Sequence, residues 1–491
     1  MAKIALYGFG SFPVIYRHLI DVARTDNSRI RWCAVLTSPH YRKIINQVLP
    51  GEEILDIYRE LPRIRGGSDI SALAGYRGSL VEDIAAIKIA RRKRSGAWVH
   101  RRAVDFYNLY KRFLIERKAT HLLMSGIETP DAKTIIAVAH ELGIGIIAPA
   151  HMRNLGGSYF STDSHETPPA YAQVDEATRQ RAAEFVRSFR QQPVPDHYRT
   201  AEDACREDDL EILEQYLPSL ASRMAGFCRI ALERPDLFDP DMIRVSVMRT
   251  FAWVRIPIRG FRHWRNAGQY DVERIDALPP RFIFYPLQYT PESSINVPAP
   301  YFVDQLRAID ALRFAMPNDC TLLVKEHPAC VEMRRIGFMR HLRNLPGVLV
   351  ARSNISSIDL IRRALVTVSV TGTAVLEAFL LGRPALALGS ALPSWAVGRS
   401  ARVGSLPRDL AAAMAQPPSD EEVIDRVARL MSVRYPFYYG TAHSPGEPML
   451  RRDNMRRFWM ALNDHLDREQ RAQGPAAASR GSQPVAPAIL A

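Results

Sequence analysis

Four short polar clusters in the second half of the chain carry the residue types that hold a phosphate. Lys325-Glu326-His327-Pro328 offers an ammonium and an imidazole at a turn that proline stiffens. Thr371-Gly372-Thr373 offers two hydroxyls around a glycine, which lets a backbone approach closely, and Glu377 lies one helical turn further on. A third cluster, running from Pro286 to Ser294, includes Gln288 and Glu292 among prolines and hydroxyl residues. In the fourth, Ser356 stands three residues before Asp359, the spacing of a helix cap, which leaves Ser357 for a ligand. Any one of these reads equally well as a cap or a satisfied turn. Together and in this order they describe an anion site.

The elements that must position them are strands. Arg281 to Tyr285, Thr321 to Val324 and Val366 to Val370 are short apolar runs, and the last leads through Thr371-Gly372-Thr373 into the helical Ala374 to Leu380. Open parallel sheets bind ligands at the carboxyl ends of their strands, and the unpaired N–H groups of a helix start favour phosphate. The N-terminal portion alternates in the same way. Strands are predicted at Ile4 to Tyr7, Trp32 to Thr37, His121 to Met124 and Gly145 to Ala148, with a helix over Val14 to Arg24. Gly8-x-Gly10 has Pro13 where the third glycine of the dinucleotide fingerprint belongs, so it is a weak nicotinamide-cofactor signal.

The series Pro-Leu-Gln-Tyr-x-Pro-Glu-Ser, Lys-Glu-His-Pro, Ser-x-x-Asp-Leu-Ile, Thr-Gly-Thr-Ala-x-x-Glu-Ala and Gly382-Arg383-Pro384-Ala385 resembles the bacterial capsule-polysaccharide biosynthesis glycosyltransferases, Kdo transferases included. The resemblance covers about Arg281 to Gly389. It implies an α/β protein of two Rossmann-like domains facing across a cleft, the GT-B architecture, with the donor nucleotide on the C-terminal domain. It places nucleotide contacts on His327, Ser356 and Ser357, and the phosphate or sugar carboxylate on Thr371, Gly372 and Thr373. Gln288, Glu292, Lys325 and Glu377 complete the expected donor site, Glu377 as a ribose ligand or simply a helix residue.

Such transfer needs a group on the N-terminal domain to take the acceptor's proton. Glu128 follows one strand; His151 and Asp163 follow the next, where related enzymes often carry a Glu-Gly-like element and this chain has His151 and Gly156-Gly157. Glu128 reads equally as a helix cap, and His151 equally as an acceptor-binding donor.

The expected organisation is an N-terminal domain over 1–168, a helical insertion or connector over 169–277, a nucleotide-sugar domain over 278–415, C-terminal helices over 416–469 and a disordered Ala/Gly/Ser/Pro-rich tail over 470–491. With 491 residues, 47% of them hydrophobic, the chain can bury two cores. Five scattered cysteines suit a reducing cytoplasm, and no apolar run approaches the roughly 20 residues of a membrane span. The formal charge of +13 concentrates between Lys88 and Lys118, where Trp98, Phe106, Tyr107, Tyr110 and Phe113 interleave with arginines and lysines. That stretch is either a solvated helix face or a surface for anionic lipid or glycan; no nucleic-acid motif accompanies it.

The sequence reading is therefore a cytoplasmic, peripheral glycosyltransferase at the inner face of the membrane. Its expected donor is a CMP-activated acidic sugar such as Kdo, its acceptor a polysaccharide or lipid-linked glycan, and no metal or further cofactor is expected. A CDP-alditol phosphotransferase, a UDP-sugar 2-epimerase-like enzyme and a non-catalytic glycan-binding export subunit are the alternatives.

Overall fold

Apolar runs flanked by amphipathic helices build two open sheets. The computed structural model describes residues 2–8, 12–37, 41–60, 96–126, 130–163, 165–169, 174–194, 270–288, 298–327, 336–440 and 448–472, with positions 224, 225, 228, 232, 261, 265, 295, 330 and 334. The expected helical insertion lies almost wholly outside these residues from 195 to 269, as does the basic run from Lys88 to Arg94.

The first sheet contains β1 (Lys3–Gly8), β2 (Arg31–Leu36), β3 (Ile54–Asp56), β4 (His121–Met124), β5 (Gly145–His151) and β6 (Ser158–Ser161). Their order is β3-β2-β1-β4-β5-β6, parallel except for β6, which runs antiparallel to β5. Helix α1 (Phe12–Thr25) covers one face with Ile4 and Leu6; α2 (Gly96–Glu116) and α3 (Pro130–Glu141) cover the other with Ala5 and Tyr7. Burial on both faces explains why β1 reads as an unbroken apolar run rather than an alternating one.

Helix α4 (Glu176–Gln191) leads out of this domain, its start capped by Asp175, whose carboxylate accepts from Thr178 N at 2.7 Å. The second sheet contains β7 (Phe282–Pro286), β8 (Thr321–Lys325), β9 (Val348–Ala351), β10 (Val366–Ser369) and β11 (Ala385–Ala387), all parallel in the order β11-β10-β7-β8-β9. Ile283 and Tyr285 pack beneath α5 (Leu306–Ala315) and α6 (Phe338–Arg343). On the other face Phe282 and Phe284 meet α7 (Ser357–Arg363), α8 (Ala374–Leu380) and α9 (Leu392–Val397). Helix α10 (Leu406–Ala415) joins the first of these layers, and α11 (Asp420–Ser432) joins the second together with α4. Numbered within its own domain, each sheet has the 3-2-1-4-5 core of the Rossmann order. The two-sheet α/β class expected from the sequence is the class observed.

After α11 the chain returns to the first domain. Tyr435 N donates to Ser158 O at 2.7 Å, and α12 (Arg452–Ala472) buries Phe458, Trp459 and Leu462 against α1. Trp459 Nε1 donates to Asp26 Oδ2 at 2.9 Å. The helix continues through residues 470–472, which the sequence reading had assigned to the tail. Its last turns are held because Glu469 pairs with His121 of β4 at 3.3 Å.

Candidate functional site

Three of the four polar clusters follow the neighbouring strands β10, β7 and β8, where the strand order reverses, and the Ser356-Ser357 cluster follows β9. Register fixes this: Pro286 pairs with Lys325, and Leu287 N continues the ladder to Lys325 O at 2.8 Å.

Lys325 is the last residue of β8 and only 6% exposed. Its Nζ donates to Ser357 Oγ at 2.7 Å, and no carboxylate among the described residues pairs with it. Burial lowers its pKa from 10.5 to about 8, against the opposing pull of Glu377. The sequence reading left the Ser357 hydroxyl to a ligand; it is in fact the partner of this ammonium. Ser356 caps α7, accepting from Asp359 N at 3.3 Å. Thr373 Oγ1 donates to the buried Glu377 at 3.2 Å.

The Thr-Gly-Thr loop differs from expectation. The Gln288 amide is oriented so that its oxygen accepts the N–H groups of Thr371 (2.6 Å) and Gly372 (2.7 Å) and the Ser369 hydroxyl (3.1 Å), while its nitrogen donates to Thr371 Oγ1 at 3.0 Å. The backbone donors of Thr371 and Gly372, expected to face a ligand, are thus taken by Gln288. Thr371 and Gln288 are both buried, and a buried N–H must be paired. Gly372 is needed for the same packing: a Cβ there would stand 2.7 Å from Ser369 Oγ. Gln305 clamps Gln288 in turn, accepting from its N at 2.7 Å and donating to its carbonyl at 3.1 Å.

Glu326 and Arg334, absent from the expected site, form its best-buried ion pair. Arg334 Nε meets Glu326 Oε2 at 2.8 Å and its Nη2 meets Oε1 at 3.0 Å, the same Nη2 also donating to Gln288 O at 2.7 Å. Glu326 Oε1 accepts His327 N at 2.7 Å, which sets the course of the backbone leaving β8. A strand-end glutamate inside a motif with an arginine eight positions on was the available signal. His327 itself is half-buried beside Lys325.

The acceptor-side residues are dispersed. His151 ends β5, its ring edge-on to Tyr438 with centroids 6.3 Å apart. Asp163 commits its carboxylate to its own loop, accepting from His165 N at 2.8 Å and Thr167 N at 3.1 Å. Glu128 and Glu292 lie outside the described residues. At the ends of β1 and β4 of the first sheet, tyrosines occupy the corresponding position: Tyr439 OH donates to Met124 O and Ser125 O, both at 3.2 Å, and Tyr16 OH donates to Tyr7 O at 3.0 Å. Burial raises both phenols above the usual tyrosine range. Of the two switch points, the C-terminal one carries the buried cation. Among the described residues no group of His, Cys, Asp and Glu is arranged to hold a metal ion, and no helix is long and apolar enough to cross a membrane.

Residues 255–438 match the family model described as capsule polysaccharide biosynthesis protein. Among solved structures, the chain is similar to KpsC of Thermosulfurimonas dismutans, beta Kdo 2,7 transferase. That match has 11% identity, covers 87% of this chain and 90% of that one, and has a TM-score of 0.36. The beta Kdo 2,4 transferase of the same KpsC matches at 13% identity over 63% of this chain and 87% of that one, TM-score 0.33. The UDP-GlcNAc 2-epimerase of Methanocaldococcus jannaschii matches at 10% identity over 94% and 100%, TM-score 0.23. A search of curated proteins returns no match. The segment matched by that family model, residues 255–438, is the one that holds the strand-end cluster.

Proposed function

We propose that this chain is a glycosyltransferase of capsule polysaccharide synthesis, of GT-B type, that binds the phosphate of a nucleotide-activated sugar at the ends of β7, β8 and β10. The observation that carries this reading is Lys325, a buried ammonium with a hydroxyl partner and, among the described residues, no carboxylate in ion-pair contact. A buried charge is costly unless something compensates it, and an anionic ligand supplies the missing counter-charge. The family match of the same residues supports the assignment to capsule synthesis.

In this reading Lys325 and His327 bind the donor's phosphate, and Ser357 orients the Lys325 ammonium. Gln288, Gln305 and the Glu326–Arg334 pair hold the three loops in register, while Thr373 and Glu377 line the sugar or ribose side. The acceptor hydroxyl attacks the anomeric carbon as the phosphate leaves with the bonding electron pair. Lys325 stabilises that developing charge, and His151 is the base we assign to the acceptor proton. The motif series favours a CMP-activated acidic sugar such as Kdo as donor, with a polysaccharide or lipid-linked glycan as acceptor. The enzyme would then work at the cytoplasmic face of the membrane, and the basic segment from Lys88 to Lys118 would meet anionic lipid.

A thermal-shift panel of CMP, CDP and UDP tests the donor assignment, because a ligand that binds the folded state raises the melting temperature by mass action. CMP should give the largest shift. A larger shift with UDP would reassign the donor, and no shift with any of the three would remove the nucleotide from the site.

A further inference from the structure

A second recess lies away from the strand-end cluster. A cavity of about 750 Å³ opens between the start of α4, helix α9 and helix α11, walled by Pro168 and Pro169 and floored by Trp395. A smaller hollow of about 360 Å³ lies along α11 and shares Asp425 and Arg429 with the first, so the two adjoin. The larger volume is that of a ligand site.

Its chemistry is that of a saccharide site. Trp395 is half-buried, so its ring is anchored, and its indole N–H has no hydrogen-bond partner among the described residues. Aromatic faces with a polar edge suit sugars, whose C–H faces stack while their hydroxyls bond at the rim. The rim is preorganised: Arg179 is fixed by Asp425 at 2.7 Å and Glu421 at 3.2 Å, which holds planar donors and acceptors at set positions. Charge decides the class of sugar. Five carboxylates, Asp175, Glu176, Glu421, Glu422 and Asp425, line the two hollows with three guanidinium groups, Arg179, Arg426 and Arg429, and a fourth, Arg399, pairs with Glu422 at 3.4 Å. That excess repels a polyanion and leaves uncharged hydroxyls well served.

We propose that the groove between α4, α9 and α11 binds a neutral oligosaccharide, with Trp395 as its stacking platform. The inference adds a glycan site to the proposed transferase, and its test is independent of nucleotide binding.

The test applies the full chain to a glycan array of neutral, amino and acidic oligosaccharides, and repeats it with Trp395→Leu, Trp395→Phe and Arg429→Ala. Neutral glycans should bind the parent, lose at least tenfold in Trp395→Leu, weaken in Arg429→Ala and survive in Trp395→Phe. Arg429 is exposed and makes no ion pair among the described residues, so its variant reports on binding even if Trp395→Leu fails to fold. No neutral glycan bound by the parent, acidic glycans bound in preference, or binding indifferent to Trp395 and Arg429 would each overturn the proposal. Nucleotide affinity in the same samples reads the donor site separately.

Discussion

Lys325 sets an opposition between stability and binding. Its folded pKa of about 8 lies below the unfolded value of 10.5, so the unfolded chain holds the proton more tightly. The resulting penalty is fully present below pH 8 and is relieved as pH rises toward 10.5; the size of the shift makes it on the order of 3 kcal/mol. Lys325→Met should therefore raise the melting temperature at pH 7 and flatten stability between pH 8 and 10.5, and an unchanged or lower melting temperature would count against a buried ammonium. Anion affinity has the opposite dependence and should fall as pH passes 8, because the neutral amine no longer attracts phosphate. Gln288 contributes to the fold instead. Gln288→Leu strips the acceptor from the buried Thr371 N–H, at about 1 to 3 kcal/mol, and from the half-buried Gly372 N–H, so melting should drop by several degrees; an unchanged melting temperature would show the Thr371 loop to be supported otherwise. The residue types of this site were legible because charge and hydroxyls are conspicuous after apolar strands. Their pairings were not, since the Gln288 amide meets partners 81 to 84 positions away and composition does not encode which amide finds which loop.

At the scale of elements, the strands and the capped helices could be read from period and end signals. The run of Ile4 to Tyr7 is β1, the Ser356–Asp359 spacing is the start of α7, and Asp175 caps α4. The last helix shows what local pattern leaves out. Its final turns look like the start of a tail until β4 supplies His121, a partner more than three hundred positions earlier in the chain. Trp459 makes the same point, hydrogen-bonded to Asp26 and packed near Trp32 at 6.3 Å between ring centroids. Trp459→Ala should cost about 3 to 5 kcal/mol, as for other large buried rings. Urea melts followed by circular dichroism would show this as loss of the N-terminal domain, although the substitution lies at the far end of the chain. A loss below about 1 kcal/mol would mean that α12 only rests on its surface.

For the whole molecule, two sheets of the same order have acquired different crevices. Among the described residues, the first holds Tyr16 and Tyr439, the latter from the returning chain, against the ends of β1 and β4; the second keeps Lys325 and Glu377 buried and His327 half-buried near its strand ends. The return of the C-terminal segment thus fastens the domains together and brings Tyr439 to the first sheet, and both effects follow from one crossing between Ser158 and Tyr435. The sequence showed two alternating halves but not this asymmetry, because the tyrosines that create it are ordinary core residues in any local window. The central claim is that the second crevice holds a nucleotide-sugar phosphate on Lys325. Titration calorimetry of CMP with the parent and Lys325→Met at pH 7, each checked for native circular dichroism, tests it most directly. A charged hydrogen bond of about 1.5 to 3 kcal/mol predicts at least a tenfold loss of affinity in a protein that melts no lower than the parent. Equal affinity in the two folded proteins would contradict it.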